Sequence, residues 1–195
     1  MMRFLVRLSN GKRYQPADTK RLASVAYEAV RRFRGDVGNL RVSSSAVELD
    51  LLLDSNLNLD KAVRALVDEI GPSLTIRQLD VESPPIGNAE TIKLGLSLFN
   101  EERYWESHEA LETAWRRLTG SEKEILQGII LVSAALVHLQ KNEPDITLSV
   151  MTRAYNKLNP YIGEHFGVDV SNLKSHLALM LSTGWPDFFK IETKD

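Results

Sequence analysis

The hydrophobic pattern of this chain changes once, at a short segment of turn-forming residues. Before Ser83-Pro84-Pro85-Ile86-Gly87, stretches with the two-residue period of strands alternate with stretches of helical period, and after it only the helical period remains. Proline lacks the amide hydrogen that a strand ladder needs, so two consecutive prolines interrupt a regular element. The sequence therefore predicts two domains, residues 1–82 and residues 88–195, joined by a proline-rich linker at residues 83–87.

The first domain is predicted to contain six elements in the order β-α-β-β-α-β. Alternating apolar residues and helical spacing place these elements at residues 4–8, 22–33, 40–44, 47–53, 58–70 and 74–81. Gly35 and Gly38 are expected to end the first helix. This order is that of the ferredoxin-like fold, and about 80 residues suffice for an independent domain.

The second domain is predicted to be an all-α helical bundle, so that the chain as a whole is of the α+β class. Helices are expected at residues 88–99, 101–118, 121–140, 144–158 and 171–181. Asn100 is expected to cap the second of these helices, and Ser121 with Glu124 fits a capping box for the third. A loop containing Gly163 and Gly167 is expected before the last helix. Short connections make consecutive helices antiparallel neighbours.

The composition excludes several classes of function. The chain contains no cysteine, so it has no disulfide, no thiolate metal site and no cysteine nucleophile. No apolar run approaches the roughly 18 residues of a membrane-spanning helix, and arginines interrupt the apolar N-terminus where a signal peptide would need a continuous core. We therefore expect a cytoplasmic protein that has no membrane partner.

Charge is distributed unevenly along the chain. Residues 1–41 hold ten basic and three acidic residues, a net +7, whereas the whole chain has a net charge of −2. This segment would suit a nucleic-acid- or ribosome-associated protein. However, neighbouring first and third strands would place Arg3 and Arg7 beside Glu48 and Asp50, and this face lacks the exposed aromatics on which RNA bases stack. Nucleic acid is therefore the less favoured partner.

The segment Tyr104 to Trp115 carries the strongest functional signal. On a helix, Tyr104, His108, Glu112 and Trp115 fall on one face. A face used only for packing would be aliphatic, whereas this one carries an imidazole, a carboxylate and two aromatic rings.

The following helix adds two polar residues to the same prediction. Gln127 and His138 are eleven residues apart, about three turns, and so share a face. An antiparallel pair of helices would bring Gln127 near Glu112 and Trp115, and His138 nearer His108 or Tyr104. A polar cluster between the two helices is therefore predicted.

Three interpretations of this cluster stay open. In the first, His108, Glu112 and His138 hold a divalent metal ion in a metal-dependent hydrolase. Glu109 would then be a further ligand or a base, although it is rotated by about 100° from His108.

In the second interpretation, His108 and Glu112 bind a small polar ligand or a protein partner, with Tyr104 and Trp115 as walls. A single unit resembling a tetratricopeptide repeat at residues 95–114 is compatible with a protein partner. In the third, the residues form a buried polar network that fixes the pairing of the helices. Edge strands of the first domain would also allow a homodimer.

A family resemblance rests on three segments: FNEERYWESHEALETAW at residues 99–115, LQGII at 126–130 and AALVH at 134–138. They resemble the uncharacterised family called domain of unknown function 309, over roughly residues 88–160. The chain departs from the family pattern at Glu102, where the family often has Gly, and at Ser107, where it often has Ala. The resemblance implies a compact helical domain without an assigned activity. Its signature positions correspond here to His108, Glu109, Glu112, Trp115, Gln127 and His138.

Overall fold

The computed structural model describes residues 1–79 and 87–193 and divides the chain into two compact units. The first unit comprises Met1–Pro84 with Gln140–Asn142, and the second comprises Pro85–Leu139 with Glu143–Asp195. Residues 83–86 of the predicted linker lie outside the described residues, and Gly87 precedes the first helix of the second unit.

Among its described residues, the first unit contains a four-stranded antiparallel sheet and two α-helices. Its elements are β1 (Met2–Ser9), α1 (Thr19–Val30), β2 (Gly35–Val42), β3 (Ala46–Leu53), α2 (Leu59–Glu69) and β4 (Ser73–Gln78). The strand order is β2-β3-β1-β4, which is the order of the ferredoxin-like fold. The predicted α+β fold class is confirmed.

The core of this unit is built from every second residue of β1 and β3. Val6 and Leu8 of β1 and Leu49 of β3 are fully buried and share one hydrophobic cluster with Leu22 of α1 and Leu66 of α2. Because side chains alternate between the faces of a strand, the residues between them project from the opposite face.

That opposite face carries paired charges. Arg7 lies directly across from Glu48, with Nε 3.1 Å from Oε1, and an Arg3 nitrogen lies 2.7 Å from Asp50 Oδ2. Arg41 of β2 lies 3.5 Å from a carboxylate oxygen of both acids. The predicted pairing of the N-terminal arginines with these acids is confirmed.

The end of α1 differs from the prediction. Gly35 and Gly38 do not end the helix but belong to β2. The left-handed turn comes one residue earlier, at Arg34, with a φ of 57°. A Cβ on Gly35 would lie 3.1 Å from Val30 Cβ, so this glycine lets the strand start close to the helix end.

The second unit contains five helices and one short hairpin among the described residues. They are α3 (Asn88–Asn100), α4 (Tyr104–Trp115), α5 (Gly120–Gln140), α6 (Pro144–Leu158), β5 (Glu164–His165), β6 (Val168–Asp169) and α7 (Val170–Thr183). The loop predicted before the last helix thus contains the β5–β6 hairpin. Within the described ranges, no helix combines the length and the apolar composition needed to cross a membrane.

The start of α4 also differs from the prediction. The helix begins at Tyr104 instead of residue 101, because the chain ends α3 with a Schellman motif. Glu102 has a φ of 59°, its amide donates to Phe99 O, and the Arg103 amide donates to Leu98 O, each at 2.9 Å. Asn100 is therefore the last residue of α3 and not the cap of α4.

Candidate functional site

Helix α4 presents two chemically different sides. Tyr104, Ser107, Leu111 and Ala114 are fully buried in the core of the second unit or beside it. His108, Glu109 and Glu112 lie outside this buried stripe and retain part of their solvent exposure.

These three residues form the α4 polar cluster: His108, Glu109 and Glu112. One ligand atom from each lies within 4.8 Å of the others. His108 Nδ1 is 3.7 Å from Glu109 Oε1, and the side-chain exposures of these two residues are 29% and 53%. One imidazole nitrogen and two carboxylates form a donor set that suits a divalent cation.

A cation from the protein itself lies at one edge of the cluster. Arg116 Nη2 donates to Glu112 Oε1 at 3.0 Å, one helical turn along. The Arg116 side chain is 71% exposed, so this ion pair is a weak surface pair. Because the Arg116 side chain is exposed, water can replace its contact with Glu112, and the Glu112 carboxylate could then bind another cation.

Tyr104 is a core residue and does not form a wall of the cluster. Its ring is fully buried and packs against Phe99 and Phe188, at centroid distances of 4.9 and 5.9 Å. The hydroxyl has no hydrogen-bond partner among the described residues. Burial raises the pKa of Tyr104 well above its ordinary value, and the charges of Glu102 and Asp187 raise it further.

Trp115 lies at the end of α4 and contacts the beginning of α5. The Lys123 ammonium is 4.3 Å from the centre of the indole ring, which is a cation–π contact. The indole Nε1 is buried and donates to no described residue. Trp115 therefore links the end of α4 to the start of α5 at the turn between the two helices.

Gln127 and His138 do not join the α4 polar cluster. Gln127 is half-buried on α5. His138 Nδ1 lies 2.5 Å from Glu143 Oε2, at the other end of α5 from the turn. The group of neighbouring ligand atoms thus comprises His108, Glu109 and Glu112, all from α4, and His138 of the predicted metal set is not among them.

The register of α4 against α5 explains the separation of His138. A hydrogen bond of 3.1 Å joins the hydroxyls of Ser107 and Ser133, both fully buried, and sets this register. His138 lies five residues beyond Ser133, about 7.5 Å along α5. Ser107 is only three residues, about 4.5 Å, from the first residue of α4, so His138 lies beyond that end of the helix.

Two contacts of α4 were missed from the sequence. One is the Ser107–Ser133 pair, which looks like two ordinary small residues in the sequence. The other is the buried Glu106, whose two oxygens accept from Arg103 at 2.8 and 3.0 Å. These bonds raise the pKa of the Arg103 guanidinium. The three-residue spacing of Arg103 and Glu106 was the signal that could have revealed this pair.

The helix that carries the cluster lies in a segment that matches a known family model. Residues 92–150 match the family model described as Domain of unknown function (DUF309). We call residues 92–150 the DUF309 segment, after the model that they match. It contains all seven residues of the predicted site, and the match confirms the resemblance found in the sequence. No curated protein matches the chain.

Proposed function

We propose that the DUF309 segment is a binding module that recognises its partner through a divalent cation held by the α4 polar cluster. The observation that carries this proposal is the approach of one nitrogen and two oxygen ligand atoms to within 4.8 Å of one another on one helix. Residues four apart lie on one helix face, which brings His108 and Glu112 together. Glu109 reaches them because its side chain is long.

The donor set favours a first-row transition metal over magnesium. Imidazole is a ligand for zinc, iron, nickel and copper, whereas magnesium and calcium prefer oxygen donors alone. Three protein ligands leave coordination positions open. Those positions would take a carboxylate, phosphate or carbonyl of a small polar ligand or of a protein partner.

A metal-dependent hydrolase is the second candidate, because open coordination positions would also accept a water molecule. Zinc lowers the pKa of a bound water to about 7 and so generates a nucleophile. In this alternative, His108 and Glu112 would hold the metal ion and Glu109 would act as the base.

The basic N-terminal segment is not part of the proposed site. Arg3 and Arg7 are paired with Asp50 and Glu48, both buried acids. Phosphate groups would have to compete with these carboxylates for the two arginines.

Calorimetric titration of the full, untagged, metal-free chain with Zn²⁺ and Mn²⁺ tests the proposal. We expect one ion per chain for the wild type and at least tenfold weaker binding for His108→Ala, which corresponds to about 1.4 kcal/mol. His138→Ala is the matched control, since it removes a histidine of the same segment outside the cluster. Equal affinities of the wild type and His108→Ala, or no binding by the wild type, would contradict the proposal.

A further inference from the structure

A cleft of about 460 Å³ opens in the second unit beside α3. One side of α3 lines it, together with the turn of the β5–β6 hairpin and Thr193. Its volume falls in the range of small-molecule sites. The α4 polar cluster contributes no residue to this cleft, so the two sites are separate.

The floor of the cleft is apolar. Ile92 and Leu96, one turn apart on α3, are nearly fully buried, and Phe166 faces the same space from the hairpin turn. Asn100 also lines the cleft, but its side-chain amide already exchanges two hydrogen bonds with the backbone of Ile191, at 2.8 and 2.9 Å. The lining therefore suits the aliphatic or aromatic body of a ligand.

Phe166 lies in the cleft despite an unfavourable backbone conformation. Phe166 and Gly167 connect β5 to β6 and have φ values of 57° and 78°, as a two-residue type I′ turn requires. Asn, Asp or Gly usually occupies the first of these positions, because a bulky side chain is disfavoured at positive φ. Strained residues of this kind concentrate at functional sites.

Among the described residues, a single charged side chain lines the cleft. Lys93 lies between Ile92 and Leu96 in the sequence of α3 and is solvent-exposed. Its ammonium forms no hydrogen bond or ion pair with any residue in the described ranges. The cleft thus combines an apolar floor with one positive charge at its rim.

We propose that this cleft binds a small apolar molecule that carries one anionic group, such as a medium-chain carboxylate. The carboxylate lies near Lys93, and the hydrocarbon chain covers Ile92, Leu96 and the ring of Phe166. This proposal does not depend on the cation at α4.

An NMR titration of the full chain with octanoate tests the proposal, with 1-octanol as the uncharged ligand of equal chain length. We expect saturable amide shifts at the cleft residues of α3 and at Gly167. We expect Lys93→Gln to weaken octanoate binding two- to fivefold, the size typical of an exposed charge pair, and to leave 1-octanol binding unchanged. Lys61→Gln, on α2 of the first unit, is the matched control and should not change either affinity.

Phe166→Asn provides the second test, because Asn suits the turn and the variant keeps the hairpin. We expect this variant to lose binding of both ligands at least fivefold while its amide spectrum remains that of a folded protein. Three outcomes would overturn the proposal: no saturable shifts at the cleft, equal weakening of both ligands by Lys93→Gln, or unchanged binding by Phe166→Asn.

Discussion

Glu102 occupies a position of the α3–α4 turn that favours glycine, so Glu102→Gly should stabilise the second unit. Its φ of 59° places it in the left-handed region at the C′ position of the Schellman motif. This conformation costs a residue with a Cβ about 1–2 kcal/mol. Glycine avoids that cost, but it lowers the free energy of unfolding by roughly 0.5–1 kcal/mol because it increases the entropy of the unfolded chain.

Removal of the Glu102 charge adds a small favourable contribution. A carboxylate at a helix C-terminus opposes the helix dipole by about 0.3 kcal/mol or more. Together these effects predict that Glu102→Gly raises the free energy of unfolding by about 1 kcal/mol, which shifts Tm upwards by about 2–4 °C in a protein of this size.

Tryptophan fluorescence during urea unfolding measures this change, because it reports the unfolding of the second unit, which contains Glu102. All three tryptophans, Trp105, Trp115 and Trp185, lie in the second unit, so their emission follows that unit alone. Glu102→Ala is the matched control, because it removes the charge and keeps the Cβ. The reasoning is refuted if Glu102→Gly is no more stable than Glu102→Ala.

Two further predictions concern the same unit. Gly95→Ala should lower the free energy of unfolding by about 1–3 kcal/mol in the same fluorescence assay, because the new Cβ would lie 2.5 Å from Leu111 Cδ2 in a packed core. An unchanged free energy of unfolding would refute this prediction. The raised pKa of Tyr104 predicts stability that is fully present below the ordinary tyrosine pKa of about 10 and is lost as the pH rises above it, because only the unfolded chain then releases the proton. Comparing wild type with Tyr104→Phe by urea unfolding at pH 8 and pH 11 isolates this loss, and equal pH dependence of the two proteins would refute it.

The first unit was predictable in outline because apolar and charged residues alternate along its central strands. Val6, Leu8 and Leu49 supply that pattern, and the charges between them identify the other face. The beginning of β2 was not predictable in the same way. In the sequence, Gly35 looks like the residue that ends α1. In the structure, the left-handed turn lies at Arg34, and Gly35 is already the first residue of β2.

The candidate site was predictable only where it depends on a single helix. The shared face of His108 and Glu112 follows from helical periodicity alone. The position of His138 depends on how far α5 extends beyond α4, and sequence spacing does not determine the Ser107–Ser133 register. Glu109 is rotated by about 100° from His108 around the helix, but its flexible side chain reaches His108.

The cleft beside α3 could not be predicted from the sequence for a different reason. Its residues come from a helix, a hairpin turn and the C-terminal segment, which are distant in the chain. The turn also carries Phe166-Gly167 in place of the Asn-Gly pair that usually marks a two-residue hairpin.

A divalent cation bound by the α4 polar cluster would contact one of the four histidines, His108. The most direct test follows the imidazole NMR signals of the four histidines while the metal-free, untagged chain receives Zn²⁺ up to one equivalent. We expect the His108 signals to shift in proportion to the zinc added and those of His138, His165 and His176 to stay unchanged. Unchanged His108 signals, or equal shifts of all four histidines, would rule out a cation site at the α4 polar cluster.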